Sequence, residues 1–335
     1  MSAAEEPTRI RWSATKLGDV SSDRIWPAIG QRDDKQCLLY SGAINMLFGE
    51  SGSAKSWVAQ TIAKQECDAG HYVVFIDYES QAQSIKGRLA SLGMSEKSMG
   101  FFIYISAPGS FDEAARAWLD KLVGSFKPTL LIIDSAGESQ AMEDDSGAPD
   151  VVVTRWRKKL PEHYAQRGLC VLEIDHSGVS WENRTRVAGS FRKKAGLTGI
   201  SLQTVPVTGQ PHARGKEGRT KIVCRKDREG TYANGEVAAI FVHKDHLNGT
   251  HGWVELRTPT EDDLKPNAAR EPKKMLAARA MQDYGLDGDD LSIRDVVTRL
   301  DAIGLTFSID AVGKAKKLIA DHAVTRLEQT DSEAA

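Results

Sequence analysis

Gly49-Glu50-Ser51-Gly52-Ser53-Ala54-Lys55-Ser56 lies between an apolar run, Ala43–Phe48, and a helix-forming stretch, Lys55–Gly70. Strand, glycine-rich turn, Lys-Ser and helix together match a phosphate loop of the form G-x-x-x-x-G-K-[ST]. The residue types suit an anion. Glycines let successive backbone N–H groups turn inward, and the positive end of the following helix faces the same point. On this reading Gly49 through Ser56 cradle the phosphates of ATP. Lys55 reaches the β- and γ-phosphates, and Ser56 sets its hydroxyl on Mg²⁺. The competing reading is a Gly/Ser turn that happens to precede a lysine. Ala54 stands where the second glycine usually is, and its methyl group can crowd or restrict the loop.

Outward from this turn the chain alternates short apolar runs with helical stretches. Tyr72–Asp77, Phe101–Ile105, Thr129–Asp134 and Leu169–Asp175 read as strands. Ser80–Leu92, Phe111–Gly124 and about Asp150–Arg167 read as helices. Apolar runs of this length separated by helices predict an α/β fold: a mostly parallel sheet with helices on both faces. After Gly199 the pattern changes to strands joined by glycine-rich turns, at Ile200–Val207, Thr220–Arg225, Val237–Val242 and Trp253–Leu256. These are expected to extend the sheet in antiparallel fashion. The implied domains are an extended segment over 1–36, the α/β domain over 37–258, a proline-bearing linker over 259–272 and a small helical domain over 273–328. In the last, Lys273–Asp283, Ile293–Ile303 and Ile309–His322 are the helices, with Ser292 and Ser308 as N-caps. They suit either a helix-turn-helix or winged-helix module or a platform for subunit contacts.

Two carboxylates join the phosphate loop. Leu130-Leu131-Ile132-Ile133-Asp134 is an apolar strand ending in an aspartate, as in a Walker B strand, whose carboxylate holds Mg²⁺ directly or through water. Phe75-Ile76-Asp77-Tyr78-Glu79 ends a second strand near the same crevice. Glu79 reads either as a group that polarises the water attacking the γ-phosphate or as a surface cap of the next helix.

Together these elements resemble the RecA-like ATPases, and within them the RepA/DnaB-type hexameric helicases of phages and mobile elements. The resemblance spans roughly 44–255. It implies that Glu79 is the catalytic base and that His176, after Ile174-Asp175, senses the γ-phosphate. It also implies that Lys226 and Arg228, in Arg225-Lys226-Asp227-Arg228-Glu229-Gly230, reach the γ-phosphate held by a neighbouring subunit. Arginine suits that task because its fork donates two hydrogen bonds to phosphoryl oxygens. A basic hairpin on a solvated surface would carry the same residues. The loop after the sensor strand would line a channel for single-stranded DNA. Arg184, Arg186, Arg192, Lys193 and Lys194 would neutralise phosphates there, with Trp181 and Phe191 available for stacking. The loop Ser135–Pro149 is acidic, through Glu138, Glu143, Asp144 and Asp145, and is assigned no DNA contact.

Bulk properties narrow the classes. The 335 residues carry 44 Lys and Arg against 46 Asp and Glu, so any nucleic-acid surface must be a local patch. Cys37, Cys67, Cys170 and Cys224 form no C-x-x-C, which argues against a zinc site or disulfide scaffold and fits a cytoplasmic protein. No apolar run is long enough for a membrane span. The resemblance implies as partners single-stranded DNA, further copies of the chain in a hexameric ring, and replication or recombination proteins. The alternatives are a recombination mediator or annealing ATPase that does not unwind DNA, and a nucleotide-gated interaction protein with little turnover.

Overall fold

The computed structural model describes residues 14–143, 147–178, 185–189, 191–212, 217–244, 253–264, 277–278, 280–282, 284–288, 291–317 and 319. The chain divides into two units, Met1–Lys265 and Pro266–Ala335. The division falls inside the segment read as a linker.

The first unit is built on a nine-stranded sheet. Its strands in chain order are β3 (Ile44–Gly49), β4 (Val73–Asp77), β5 (Phe102–Ser106), β6 (Leu130–Asp134), β7 (Cys170–His176), β8 (Ile200–Pro206), β9 (Glu217–Asp227), β10 (Val237–Lys244) and β11 (Trp253–Arg257). Two further short strands, β1 (Ile29–Gln31) and β2 (Cys37–Leu39), pair antiparallel in the segment read as extended lead-in. Across the large sheet the order is β11-β10-β9-β8-β3-β7-β6-β4-β5. The central pairings are all parallel, from β8–β3 through to β4–β5. Strand β8 corrects the expectation of antiparallel extension, because it lies parallel to β3. The antiparallel character begins one strand later, at β9, and continues through β10 and β11.

Parallel strands carry their crossovers on the sheet faces, so both faces are buried and the strands are apolar throughout. Every residue of β3, β4 and β6 is buried. One core contains α1 (Lys55–Asp68) through Val58, Ala59, Ile62 and Ala63, together with α2 (Ala82–Ser91) through Ile85 and Leu89. The other contains α4 (Glu113–Phe126) through Leu119 and Val123, and α6 (Pro149–Lys159) through Trp156. In this mostly parallel sheet, covered by helices on both faces, β6, which ends at Asp134, is separated by β7 from β3, which runs into the Gly49–Ser56 turn.

The helix expected over 150–167 is two. After α6 comes α7 (Pro161–Ala165), and the break falls at Leu160, ahead of a proline that has no N–H to continue the ladder. Short helices also occupy segments read as loops. They are α3 (Glu96–Met99), α5 (Ala136–Ala141) and α8 (Arg192–Ala195), with α9 (Glu261–Leu264) in the linker region.

In the second unit, α10 (Ile293–Ala302) starts at Ser292, whose side chain and that of Asp295 form a reciprocal capping box. Residues 309–317 are also helical, and Ser308 Oγ accepts from the Ala311 N–H. Val296, Leu300, Val312 and Ala315 meet in a small core with Ala277 and Met281.

Candidate functional site

Strand register brings the chemistry to one edge of the sheet. Asp77 pairs with Asp134 across β4 and β6, and Gly49 pairs with His176 across β3 and β7. All four therefore stand at the carboxyl ends of neighbouring parallel strands, where an open α/β sheet leaves its ligand crevice.

Backbone shape explains the loop. A Cβ on Gly49 would lie 2.2 Å from Thr204 Oγ1 and 2.6 Å from Ser53 Oγ, so only glycine lets β8 and the loop approach so closely. Ser53 Oγ and Thr204 Oγ1 are 2.7 Å apart in the same buried spot. Gly52 has φ +75° and Ala54 φ +69°. Ala54 thus adopts the left-handed conformation that the usual glycine would take freely, which costs an L-residue about 1–2 kcal/mol. Its methyl is buried in the core beside α1.

Lys55 opens α1 and is 8% exposed. Its Nζ donates to Gly49 O at 3.1 Å and Glu50 O at 3.0 Å, folding back over the loop. Burial pushes its ammonium below the usual lysine range, against the pull of Asp134, Glu79 and Asp175. Ser56 Oγ donates to Asp134 Oδ2 at 2.8 Å. Burial drives the Asp134 carboxyl up to about 6, and Glu79 and Asp77 push it the same way while Ser56 opposes. Asp77 Oδ1 accepts the Glu79 and Ser80 N–H groups at 2.9 and 2.8 Å, whereas Asp77 Oδ2 is buried with no hydrogen-bond partner among the described residues. A buried carboxylate held up to about 6, a hydroxyl already on it and an unmatched carboxylate oxygen next door suit a divalent cation. These residues fit Mg²⁺ and a polyphosphate.

His176 bridges the remaining groups. Its Nδ1 is 3.5 Å from Lys55 Nζ and its Nε2 is 3.6 Å from Glu79 Oε1. Lys55, His176 and Glu79 thus form one line across the mouth, with the last two side chains 45% and 37% exposed and open to a ligand.

The segment after β7 turns back on itself. Ser177 bridges to Val187, the Gly178 N–H donates to Arg186 O and the Ala188 N–H to His176 O. Helix α8 is then held from three sides. Lys193 pairs with Asp175 at 2.7 Å, both buried. Arg157 pairs with buried Glu173 at 2.5 Å and donates to Arg192 O at 2.9 Å. Lys226 Nζ donates to the Lys194, Ala195 and Leu197 carbonyls at 2.9, 3.1 and 3.0 Å.

These contacts bear on two expectations. Lys193 is 7% exposed and spends its charge on Asp175, so it faces the protein and not a phosphate. Lys226 closes α8 within its own chain and would have to exchange three carbonyls for a phosphate. Arg228, Arg186 and Arg192 are exposed, and Lys194 is half-buried. Arg184 and Trp181 lie outside the described residues. Phe191 is 70% exposed, with the Arg192 guanidinium 5.6 Å from its ring. A cavity of about 590 Å³ opens here between Arg186, Val187, Phe191, Lys194 and Lys226. In the acidic loop, Glu143 accepts from the Phe111 N–H and pairs with Lys159.

Asp77, Asp175 and Thr204 were not singled out from sequence. Asp77 ends its strand as Asp134 does, which was a usable signal. Asp175 and Thr204 depend on partners 18 and 151 residues away.

No family model and no curated protein matches the chain. Among solved structures, it is similar to a KaiC-like protein from the hyperthermophilic archaeon Pyrococcus horikoshii OT3, with a TM-score of 0.48 and 13% identity over 69% of this chain and 98% of that one.

Proposed function

We propose that the chain is an oligomeric ATPase acting on single-stranded DNA, of the RepA/DnaB-like replicative helicase type. ATP and Mg²⁺ sit at Gly49–Ser56, and Arg228 of a neighbouring copy completes the site. The observation that carries this reading is the line Lys55–His176–Glu79 beside the Ser56–Asp134 pair. Lys55 and the α1 N-terminus neutralise phosphate charge. Ser56 and Asp134 would hold Mg²⁺, which would offset the phosphate charge. Glu79 orients the attacking water and takes its proton. His176 touches both Lys55 and Glu79, so a change at the γ-phosphate shifts the residue that leads into Ser177 and Gly178, which pair with Val187 and Arg186. Arg186, Arg192 and Lys194, with Phe191 as a stacking surface, supply the DNA contacts.

The test is ATP hydrolysis with and without single-stranded DNA. The wild type should be stimulated by the strand, and Lys55→Ala should lose at least about 100-fold in turnover. Equal rates for the two proteins would refute the phosphate site. Removing Arg186 and Lys194 together should lower the salt dependence of strand binding by about 0.7 per charge on a log–log plot. An unchanged slope removes that loop from the DNA path. Stimulated hydrolysis without separation of a forked duplex would assign the chain to the recombination-mediator class.

A further inference from the structure

The turn after β9 carries exposed Arg228, and a partly buried polar cluster holds it. Tyr40, 1% exposed, directs its hydroxyl at Asp227, 2.9 Å from both carboxylate oxygens, and lies 2.9 Å from Thr231 Oγ1. The same Asp227 carboxylate accepts the Glu229 N–H at 3.0 Å and the Tyr232 N–H at 2.9 Å, on either side of Gly230 with φ +72°. Tyr232 then donates to Cys37 O at 2.7 Å. Every residue from 227 to 232 is thus within one hydrogen bond of this cluster or its direct chain neighbour.

The other end of the cluster is the phosphate-loop strand. The Tyr40 N–H donates to Asn45 Oδ1 at 3.1 Å, and Tyr40 O accepts from Asn45 Nδ2 at 2.9 Å. Asn45 sits on β3, four residues before Gly49. It also accepts the Ile200 N–H at 3.3 Å and packs where a Cβ on Gly199 would come within 2.4 Å. The Gly199 carbonyl in turn faces the Arg228 N–H at 3.4 Å.

Exposed turns are where mobility normally concentrates. An arginine that must meet a phosphate on another molecule loses that freedom on docking, and fixing its backbone in advance removes part of the cost. A buried phenol is expensive unless its hydroxyl is bonded, so its placement under an exposed turn needs a return. We propose that Tyr40 and Asp227 are positioning residues for Arg228, holding the 227–232 turn so that its guanidinium stands ready for the phosphate bound by a neighbouring copy. This rests on the reading of the ATP site as shared between copies.

Tyr40→Phe deletes one hydroxyl. It should lower turnover between about 10- and 100-fold, as for a reacting group displaced by about 1 Å. MgATP affinity should stay within about twofold, because the cluster touches none of Gly49–Ser56 and the turn it holds serves a neighbouring copy. Mixing Tyr40→Phe with Glu79→Gln should restore part of the activity, since sites pairing an intact Glu79 with an intact Arg228 turn reappear. The control is the mixture of Arg228→Ala with Glu79→Gln. Full turnover by Tyr40→Phe alone would overturn the proposal. So would a low rate that the mixture fails to rescue while the control recovers, because the defect then lies in the chain's own site and the shared-site reading stands. Failure of the control overturns the shared site and this inference with it. Should Tyr40→Phe not fold, Asp227→Asn, which keeps the side-chain shape, goes through the same three measurements.

Discussion

The phosphate-loop corner and the segment after β7 use their charges in opposite ways. At the corner Lys55 reaches His176, His176 reaches Glu79 and Ser56 donates to Asp134, so these side chains position one another. Around the segment after β7 the cations divide into two populations. Arg157, Lys193 and Lys226 face inward and hold α8, while Arg186, Arg192 and Arg228 face solvent. A site for chemistry needs its groups preset, and a surface for a polyanion needs rigid support beneath mobile charges. The basic composition of this segment therefore overstates the charge it presents to solvent, because Lys193 is spent on Asp175.

The strongest way to break this comparison is to cut a support. Arg157→Ala would leave Glu173, fully buried on β7, without its ion pair, and would release the Arg192 carbonyl from its donor. Removing one partner of a buried pair costs about 3–5 kcal/mol. Denaturant unfolding should show a loss of that size. A loss below about 1 kcal/mol would mean that α8 does not hang on this pair.

The corner makes the next prediction, and its sign is opposite. Asp134 has its carboxyl raised from the ordinary 3.8 to about 6 in the folded chain. The native state therefore holds more protons than the unfolded state between these values, and stability without nucleotide falls as pH rises from about 4 to about 6. Above that window the carboxylate is a standing cost on the order of 3 kcal/mol. Asp134→Asn should remove the cost, raising stability at pH 7 by about that amount and flattening the profile between pH 4 and 6, while losing Mg²⁺-dependent hydrolysis. Denaturant titrations across that range check it. An Asn variant no more stable than wild type at pH 7 would show that the corner is not held under charge strain.

How much of this was legible in the sequence follows from how local each feature is. The strand–turn–helix around Gly49–Ser56 and the strand ending in Asp134 were readable because eight residues, or five, contain the whole signal. The sheet was readable because buried parallel strands are apolar along their length. The split of α6 from α7 was signalled by Pro161, and α5 by Ser135 and Glu138 in a capping pattern, but both were passed over as parts of a longer helix and a loop. Strands β1 and β2, of three residues each, are too short to show a period. The fate of Lys193 was out of reach. Its partner Asp175 is 18 residues away, and only folding decides which lysine of a basic run turns inward. Glu173 within an apolar strand was a hint that some cation had to be buried with it.

The smallest effect concerns whether the corner is fully preset. Ala54 holds φ +69° at about 1–2 kcal/mol, so glycine would relieve that strain. Against this, Ala54→Gly removes a buried methyl worth about 0.8 kcal/mol and frees the unfolded chain by about 0.4–1 kcal/mol. These nearly cancel, and the net change in stability should stay within about 1 kcal/mol. Nucleotide affinity separates two possibilities more sharply. If the loop already has its phosphate-binding shape, the strain is present both with and without ligand and cancels, so MgATP affinity should change less than about twofold. If the loop must rotate at residue 54 to receive phosphate, glycine lowers the cost of that rotation and affinity should rise by about fivefold for each kcal/mol saved. A calorimetric titration of Ala54→Gly beside the wild type distinguishes the two. Only the first outcome is compatible with a corner whose geometry is complete before the ligand binds.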